Sequence, residues 1–445
     1  MVFHAYDIRG IYGKEIDEAF AKRLAASFIL FLKREKPKLV VGKDVRIHSG
    51  PLYDALCKEM KKFGAEIYSL GTVPTPLFYF SIVHKEMDGG IMITASHNPP
   101  EWNGFKLCRE KAFIIAKGMG MEELRSIFYS ADKPEAAEGT IKKLDITEEY
   151  ISYVAPRLEV SKEIKVGIDI GNGTCYFIAP KLAERTGIKT VVINGEPDGR
   201  FPNRSPEPTD ENIDELKNVI LSKNLDFGVA FDGDGDRAVF VDDKGRTVPG
   251  DVVTAILAKT YLRKAKGKVV VEVSFSKAVE DYIESLGGEV IESRVGHAYI
   301  MDMMLKEGAL LGGEVSGHFY FSDIYGLDDA TFATIKMAQV LSEEEMKLSE
   351  LVESIPRLPS SPVQVVEVPD EIKFSLVENI ANKLESMGFK VSRIDGVKAF
   401  SDDGWVLIRP SNTMPQVKYK AEGVDKEALS RLMRLARSLI KESMG

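Results

Sequence analysis

Three aspartates alternate with glycines in the segment 232–237, between two short apolar stretches predicted as strands. Asp232, Asp234 and Asp236 are spaced i, i+2 and i+4, so in an extended loop their carboxylates can converge on one side and offer the hard oxygen ligands that Mg²⁺ prefers. An EF-hand calcium loop begins similarly, but Arg237 occupies the position that requires glycine, and strands rather than helices flank the segment. An acidic surface turn is the other alternative. The segment predicts a site for a divalent cation.

A hydroxyl nucleophile is available at Ser96, just beyond a predicted strand at 90–94, where open α/β sheets place their ligand sites. The neighbouring His97 makes a Ser-His-Asp hydrolase the obvious rival interpretation, but the chain has no GxSxG elbow around this serine, and sequence adjacency does not establish catalytic geometry. A simple turn at 98–100 capped by Ser96 is a further alternative. Downstream, Lys106 brings a cation close in sequence.

A carboxylate and a hydroxyl are separated by one residue in the glycine-rich segment 312–318, which contains Glu314, Ser316 and His318. In an extended segment Glu314 and Ser316 share a face, an arrangement that suits two vicinal sugar hydroxyls better than a phosphate. An ordinary glycine-rich bend is the alternative.

The segment 409–415 combines one guanidinium with small hydroxyl and amide donors, at Arg409, Ser411, Asn412 and Thr413. This composition predicts a phosphate cradle, with a polar hairpin loop as the alternative. One central cleft explains all four segments together. Four successive units would contribute to it a nucleophile, a metal-binding triad, residues that bind sugar hydroxyls and a phosphate-binding loop.

The elements that must position these segments follow from hydrophobic periodicity. Short β-branched stretches alternate with helix-length amphipathic stretches over the first three quarters of the chain, which predicts three similar α/β domains with mixed, mostly parallel sheets. The proline-rich segment 358–362 precedes strands of alternating polarity, which predict a smaller C-terminal α+β domain. The predicted domains are 1–150, 151–250, 251–360 and 361–445. In that order they carry the serine loop, the aspartate loop, the sugar-binding segment and the phosphate loop.

The individual predicted elements follow the same reading. Strands are predicted at 39–42, 66–70, 90–94, 165–170, 190–193, 227–231, 238–241, 268–273, 289–292, 309–312, 363–368, 390–394, 405–409 and 417–421. Helices are predicted at 52–63, 175–185, 212–221, 374–387 and 426–441.

Composition limits the classes of partner and compartment. The 445 residues carry 59 Lys and Arg against 68 Asp and Glu, a net charge of −9, so a general nucleic-acid binder with a basic face is not expected. The apolar stretches fall short of the roughly 18 residues that span a bilayer, and no membrane association is expected. Three scattered cysteines without a CxxC motif favour a reducing cytoplasm.

The sequence resembles the α-D-phosphohexomutase superfamily over nearly its whole length, and within it the bacterial-type phosphomannomutase/phosphoglucomutase branch. The resemblance is carried by the motifs at 6–10, 94–99, 232–237, 313–318 and 409–413, in the order and approximate spacing of that family.

That resemblance implies reversible transfer of phosphate between O1 and O6 of a hexose phosphate, through a phosphoserine at Ser96 and a hexose 1,6-bisphosphate that also serves as activator. It implies Mg²⁺ held between that phosphoserine and Asp232, Asp234 and Asp236. Cations near the reacting group would be Arg9, Lys106 and Arg237. The general acid and base stay open among Arg9, His97, Lys106 and His318.

The resemblance also assigns the substrate contacts. Glu314 and Ser316 would read O3 and O4, with His297 and His318 lining the cleft, and the phosphate that is not reacting would be held by Arg409, Ser411, Asn412 and Thr413. The expected sugars are mannose and glucose. Alternatives are a phosphoglucosamine mutase, a Mg²⁺-dependent sugar phosphatase and a non-catalytic sugar-phosphate sensor. The expected assembly is a monomer or homodimer.

Three departures from the family pattern bear on sugar preference. Arg204 stands where relatives often have histidine. Ser274 stands where many mannose and glucose enzymes have a substrate-contacting lysine, for which Lys277 is a candidate replacement, and Met414 stands where a polar residue is frequent.

Overall fold

Four β-sheets follow one another along the chain, each with its own helices. A computed structural model describes residues 2–130, 132–411 and 414–444. The first three sheets are mixed and the fourth is entirely antiparallel, which confirms the predicted fold of three α/β domains and a smaller α+β domain.

The first domain contains a six-stranded sheet of order β1-β5-β4-β2-β3-β6, in which β4, β2, β3 and β6 are parallel and β5 and β1 are antiparallel additions. Its strands are β1 Ile8–Ile11, β2 Lys38–Lys43, β3 Glu66–Thr72, β4 Gly89–Ile93, β5 Trp102–Arg109 and β6 Thr140–Lys143. Its helices are α1 Glu18–Leu32, α2 Ser49–Lys61, α3 Thr75–His84, α4 Met121–Ser130 and α5 Thr147–Val154.

The second domain has a five-stranded sheet of order β11-β10-β9-β7-β8, with three parallel strands extended by an antiparallel pair. Its strands are β7 Lys165–Asp169, β8 Lys189–Ile193, β9 Phe227–Phe231, β10 Ala238–Asp242 and β11 Thr247–Val248. Its helices are α6 Ile178–Arg185 and α7 Asp214–Lys223.

The third domain repeats this plan in the order β13-β12-β14-β15-β16. Its strands are β12 Gly267–Glu272, β13 Gly288–Ser293, β14 Leu311–Gly313, β15 Phe319–Phe321 and β16 Leu327–Asp328. Its helices are α8 Gly250–Leu262, α9 Lys277–Ser285, α10 His297–Glu307, α11 Ala330–Glu343 and α12 Leu348–Ser354.

The fourth domain is an antiparallel sheet of order β17-β21-β20-β19-β18 covered by two helices. Its strands are β17 Gln364–Glu367, β18 Lys390–Ser392, β19 Val397–Ser401, β20 Gly404–Pro410 and β21 Gln416–Gly423. Its helices are α13 Lys373–Ser386 and α14 Lys426–Ser443.

The sequence-based elements lie on observed elements, with shifts at their ends. The helix predicted from residue 175 begins only at Ile178, because Thr174 donates its backbone N–H to the carbonyl of Gly233 and the chain first makes a short 3-10 turn. Strand β19 was not predicted. Lys398, its second residue, is buried, with its ammonium paired to Glu280 and Glu292 of the third domain, so the local sequence understates the burial of this strand.

The hydrophobic cores divide the molecule differently from the sheets. One continuous core runs through the first three domains and includes Phe78, Phe231 and Phe319, whereas the fourth domain has a core of its own. A small separate cluster of Val273, Trp405 and Leu407 joins the third and fourth domains. No helix in the described part of the chain is long and apolar enough to cross a membrane.

Candidate active site

The loop that carries Ser96 leaves the sheet at the end of the wholly buried strand β4. Ser96 adopts a left-handed backbone conformation, with φ of 49°, which is uncommon for residues other than glycine. Its backbone N–H donates to the hydroxyl oxygen of Thr94 at 2.8 Å. The strand end and this turn hold the serine hydroxyl beyond the carboxyl edge of the sheet, as the sequence predicted.

The Ser96 hydroxyl crosses into the second domain, where it donates to Oδ2 of Asp232 at 2.8 Å. On its other side, Nδ1 of His97 lies 3.1 Å from the same oxygen. Because the single hydroxyl hydrogen is directed to Asp232, the imidazole contributes an N–H to Ser96 in this arrangement. Burial and the nearby cations Arg237 and Arg9 lower the pKa of His97 well below its ordinary value.

The aspartate loop connects β9 to β10 and turns tightly around its first carboxylate. Asp232 Oδ1 accepts the backbone N–H groups of Gly235 at 3.0 Å and Arg237 at 3.2 Å. Gly233 allows the loop to approach the first domain, because a Cβ there would lie 2.7 Å from the carbonyl oxygen of Ser96. Gly235 has a φ of 74°, and a Cβ there would collide with the sulfur of Cys175.

The donor set of this loop fits a divalent cation. Asp232, Asp234 and Asp236 are buried, and one carboxylate oxygen from each lies within 4.8 Å of the others. Oδ1 of Asp234 and Oδ1 of Asp236 are buried and have no hydrogen-bond partner among the described residues. Buried acceptors of this kind are costly unless a hydrogen-bond donor or a cation meets them, so these oxygens are suited to metal coordination.

Lys106, on β5, provides the positive charge closest to this cluster. Its ammonium donates to Oδ2 of Asp234 at 2.8 Å and also contacts Oδ2 of Asp236. Burial opposes its charge, but the two aspartates outweigh burial and raise the pKa of Lys106. Burial, Asp236 and Asp234 raise the pKa of Asp232, whereas Lys106 leads the groups that overcome burial and lower the pKa of Asp236.

Arg9, at the start of the first domain, contacts the loop that carries Ser96. Its Nε donates to Oδ2 of Asp7 at 2.8 Å, and its Nη1 donates to the carbonyl of Ala95 at 3.2 Å and to Oδ1 of Asn98. The guanidinium therefore lies at the wall of the cleft beside the Ser96 loop.

Arg237 and His318 form a chain of hydrogen bonds from the second domain to the third. Nε of Arg237 donates to Nε2 of His318 at 2.9 Å, so the ring proton is on Nδ1, which faces Oδ2 of Asp328 at 2.9 Å. Burial opposes a charged imidazole, whereas Asp236 and Asp328 outweigh it and raise the pKa of His318. A second proton on this ring would displace the bond from Arg237, so the imidazole is neutral in this geometry.

The predicted sugar-reading carboxylate, Glu314, is held rigidly. Its Oε1 accepts the hydroxyl of Tyr320 at 2.6 Å, and its Oε2 accepts the backbone N–H of Gly296 at 3.2 Å. His297 stacks on His318 with ring centres 5.9 Å apart, and in the part of the chain that the structure describes Nε2 of His297 is buried without a hydrogen-bond partner. Burial, Lys106 and His318 lower the pKa of His297.

A cleft of about 330 Å³ receives side chains from all four domains. Among the predicted site residues, those that line it are Arg9, His97, Arg237, His297, Glu314, Ser316 and His318. Met414 of the fourth domain also lines it, opposite residues of the first domain such as His4. Ser96, Lys106 and the three aspartates are joined to this wall by the bonds described above.

The predicted phosphate loop lies beside a second cavity of about 420 Å³, which shares Val295 and Ser316 with the central cleft. Arg409 lines this second cavity and donates from Nη1 to Oδ2 of Asp395 at 3.1 Å. Ser411 is buried, and its hydroxyl accepts the backbone N–H of Met414 at 3.2 Å. The predicted contacts Asn412 and Thr413 lie outside the described residues.

The second cavity is lined by lysines near position 274, but Lys277 is not among them. The ammonium of Lys277 pairs with Glu280 and Asp281 on its own helix. Lys418 and Lys420 of β21 line the cavity instead, and Lys420 donates to the carbonyl of Ser274 at 2.9 Å.

A buried carboxylate faces these cations in the second cavity. Glu272 accepts the hydroxyl of Ser274 and has no ion pair among the described residues. Burial and Glu314 raise the pKa of Glu272 to about 7, although Ser274, Arg409 and Lys420 act in the opposite direction.

Three residues that support the site were not found from the sequence. Thr75, at the first turn of α3, donates its hydroxyl to Oδ2 of Asp234 at 2.6 Å and its backbone N–H to the carbonyl of that residue. Asp328 orients His318, and Arg46 binds the Ser96 loop. Thr75 and Arg46 act across 159 and 50 residues, and Asp328 is ten residues from His318, so none of the three lies within the motif that it supports.

Family models of the phosphoglucomutase/phosphomannomutase domains match the chain in order. The α/β/α domain I model matches residues 1–135, domain II matches 148–245, domain III matches 249–358 and the C-terminal domain matches 365–437.

Relatives extend over the whole chain. A phosphoglucomutase/phosphomannomutase of Thermococcus kodakarensis is 33% identical over 100% of this chain and 99% of the relative, and a phosphomannomutase of Methanocaldococcus jannaschii is 35% identical over 99% and 97%. A probable phosphoglucosamine mutase of Methanosarcina acetivorans is 33% identical over 100% and 99%.

A solved structure of a phosphoglucomutase/phosphomannomutase family protein from Burkholderia thailandensis superimposes with a TM-score of 0.91 at 27% identity, covering 99% of this chain and 97% of that one. Four matched domains in one order, together with relatives aligned from end to end, leave no part of the architecture outside this group. The chain therefore belongs to the phosphoglucomutase/phosphomannomutase family of intramolecular phosphotransferases.

Proposed function

We propose that this chain moves a phosphoryl group between O1 and O6 of glucose and mannose phosphates, with Ser96 as the relay. The observation that carries the proposal is the contact of the Ser96 hydroxyl with Asp232 at 2.8 Å, beside carboxylate oxygens of Asp234 and Asp236 for which the described residues offer no hydrogen-bond partner. The nucleophile comes from the first domain and the carboxylates come from the second. They meet at the edge of a cleft that residues of all four domains line.

In the proposed cycle the active enzyme carries a phosphoryl group on Ser96. The bond between phosphorus and Ser96 Oγ breaks as a bond forms to the free hydroxyl of the hexose phosphate, which gives a hexose 1,6-bisphosphate. The bisphosphate reorients, its other phosphoryl group returns to Ser96, and the isomerised hexose phosphate leaves. Phosphoryl transfer of this kind depends mainly on alignment and on neutralising charge.

The chain's own cations supply part of that neutralisation. Lys106 keeps its charge beside Asp234 and Asp236, and Arg9 and Arg237 lie on the wall of the cleft. The candidates for moving the sugar hydroxyl proton divide by chemistry: His97 and His318 offer imidazoles, whereas Arg9 and Lys106 are better suited to holding negative charge.

Asp232, Asp234 and Asp236, with an oxygen on Ser96, would hold Mg²⁺. When bound, this ion supplies Lewis-acid stabilisation of charge on the transferring phosphoryl group. Two observations support the assignment. The three carboxylates converge, and two of their buried oxygens have no hydrogen-bond partner among the described residues.

Sugar recognition is proposed to use O3 and O4, read by Glu314 and Ser316, with His297 and His318 beside them. Arg409 and Ser411, with Asn412 and Thr413, would hold the phosphate that is not reacting. Because glucose and mannose differ only at C2, readers of O3 and O4 allow both sugars. The relatives named phosphoglucomutase/phosphomannomutase support this choice.

A phosphoglucosamine is a second candidate substrate. Glu272 lines the cavity of the proposed phosphate clamp and has no ion pair among the residues described, so it could meet the ammonium group of an amino sugar. The probable phosphoglucosamine mutase of Methanosarcina acetivorans, at 33% identity, is consistent with this alternative.

The test is a side-by-side assay of glucose 1-phosphate, mannose 1-phosphate and glucosamine 1-phosphate, with Mg²⁺ and a bisphosphate activator, on the wild type and Ser96→Ala. We expect isomerisation of glucose and mannose phosphates by the wild type only. Activity on both that is negligible beside glucosamine phosphate would select the second candidate. Release of inorganic phosphate without isomer would select a phosphatase, and absence of phosphoserine by intact-protein mass spectrometry together with absence of turnover would select a sensor.

Two further assignments belong to this proposal. The domain divisions at 150, 250 and 360 are supported by the position of each sheet within them. A cytoplasmic location is supported by the three cysteines, which are all free and buried.

A further inference from the structure

One buried arginine satisfies every hydrogen-bond donor it has, and most of them bind the loop that carries Ser96. Arg46 donates from Nη2 to the carbonyls of Ser96 at 2.9 Å and Asn98 at 2.6 Å. From Nη1 it donates to the carbonyls of Pro99 at 2.6 Å and Trp102 at 3.0 Å. Its remaining donor, Nε, lies 3.1 Å from Oδ2 of its neighbour Asp44.

The arginine is itself fixed before it reaches this loop. Its side chain is fully buried, as is that of Asp44, with which it forms an ion pair. Oδ1 of Asp44 accepts the hydroxyl of Ser49 and the backbone N–H of Arg46, so the carboxylate cannot rotate freely. The guanidinium also packs over the ring of Phe201 in the second domain, 5.2 Å from its centre.

The carbonyls it binds belong to a loop that needs external support. Ser96 has a left-handed φ of 49°, a conformation in which the Cβ of a residue with a side chain crowds the following carbonyl oxygen. Carbonyls at four positions between 96 and 102 point to one guanidinium, and this orientation fixes the peptide plane that follows the serine and the loop beyond it. A planar fork of five N–H groups can make this set of bonds, whereas an ammonium has only three donors.

We propose that Arg46 is a positioning residue for phosphoryl transfer: it holds the main chain of residues 96–102 so that the oxygen of Ser96 stays aligned between the aspartate loop and the cleft. The inference rests on the proposed function of Ser96 and adds to it the group that sets its geometry. Arg46 acts through the carbonyls of the loop rather than through the substrate.

The experiment measures the chemical step on phosphorylated enzyme. Wild type, Arg46→Lys and Arg46→Gln are loaded on Ser96 with glucose 1,6-bisphosphate and Mg²⁺, the phosphorylated fraction is counted by intact-protein mass spectrometry, and transfer to glucose 1-phosphate is followed in a single turnover. Misfolded molecules reduce the amplitude of this reaction, whereas misalignment reduces its rate constant. Lys336→Met, which removes a buried cation from α11 that contacts no residue of the site, controls for the loss of a buried charge.

We expect a rate constant about 100-fold lower in Arg46→Lys, because displacement of a reacting group by about 1 Å can cost that much, with a similar or larger loss in Arg46→Gln and none in Lys336→Met. A wild-type rate constant in Arg46→Lys, at any amplitude, would overturn the inference. Failure of the wild type itself to carry or transfer a phosphoryl group would instead overturn the proposed function of Ser96.

If neither arginine variant folds well enough to be loaded, Ser49→Ala removes one bond to Asp44 and leaves Arg46 in place. A rate constant several-fold lower at unchanged KM then supports the inference, and an unchanged rate constant contradicts it.

Discussion

The two halves of the site differ in how completely they are assembled. In the transfer half, Ser96, Lys106 and the three aspartates are buried and bonded to one another across the boundary between the first and second domains. In the proposed recognition half Glu314 and Ser411 are buried, but Ser316, Arg409 and Lys418 are at least partly exposed, and Arg409 is held by one ion pair. The fold itself joins the proposed transfer residues to one another, whereas part of the proposed recognition surface is open to solvent.

The strongest way to break this comparison is to remove one carboxylate from the transfer half. Asp236→Asn is expected to lower kcat by about 10²–10³-fold, since it weakens both the cation site and the charge balance at Lys106. Steady-state assays at saturating Mg²⁺, with calorimetry of Mg²⁺ binding, measure the effect. Asp210→Asn, at an exposed position, is the control. A variant with kcat within fivefold of the wild type would contradict the assignment.

Removal of Lys106 tests whether the transfer half depends on its internal charge balance. Lys106→Met leaves Asp234 and Asp236 without their buried partner, which is expected to cost about 3–5 kcal/mol of unfolding free energy. Because Mg²⁺ can replace the missing positive charge, we expect it to stabilise the variant more than the wild type in denaturant titrations. An equal response of both proteins to Mg²⁺ would show that the lysine and the metal act independently. Lys142→Met, at an exposed lysine, gives the baseline.

In the recognition half the same kind of change should affect binding instead of catalysis. Arg409→Gln removes a charge-assisted contact to the remote phosphate, and we expect KM to rise about 10–100-fold with kcat little changed. Initial-rate measurements over a wide range of substrate concentration separate the two constants. The KM of Arg409→Lys should lie between those of Arg409→Gln and the wild type. A loss confined to kcat would place Arg409 in the transfer half.

The smallest expected effect concerns Glu272 and sharpens the comparison through pH. Its pKa of about 7 lies above the value of 4.5 for the unfolded chain, so the native state binds more protons between these values. The contribution of Glu272 to stability is therefore complete below pH 4.5 and is lost as pH rises through 7. The side chain in Glu272→Gln cannot ionise. We therefore expect the Tm of the variant minus the Tm of the wild type to be larger at pH 8 than at pH 5, by about 2 °C or more.

Scanning calorimetry of both proteins at the two pH values measures this difference. Glu289→Gln, at an exposed glutamate on the neighbouring strand β13, serves as the matched control. A Tm difference that does not change between pH 5 and pH 8 would show that Glu272 ionises as an ordinary carboxylate.

The parts of the site that the sequence predicted are those that local chemistry marks. The aspartate loop and the serine loop each follow a buried strand, β9 and β4, and the strand end alone brings them to the cleft edge. The alternating apolar and β-branched stretches likewise predicted the sheets, because burial of a strand leaves a direct signature in its residues.

The remainder depends on contacts between distant residues. Arg46 and Lys398 have charged side chains that a sequence pattern assigns to the surface, yet both are buried because acceptors from remote segments surround them. Lys277 was a candidate replacement for the lysine missing at position 274, but its ammonium pairs with acidic neighbours on its own helix. Only the three-dimensional arrangement shows which charges meet.

The contacts between the first two domains at the transfer half determine which fragments of the protein can fold. Thr75 and Lys106 of the first domain both bond to Asp234 of the second, and the hydrophobic core is continuous between them. A fragment ending near residue 150 would expose part of that core and leave the ammonium of Lys106 without counter-ions. The first domain alone is therefore not expected to be an autonomous folding unit, whereas the C-terminal domain has a core of its own. Separately expressed pieces should regain activity only when the chain is cut near the junction with the C-terminal domain.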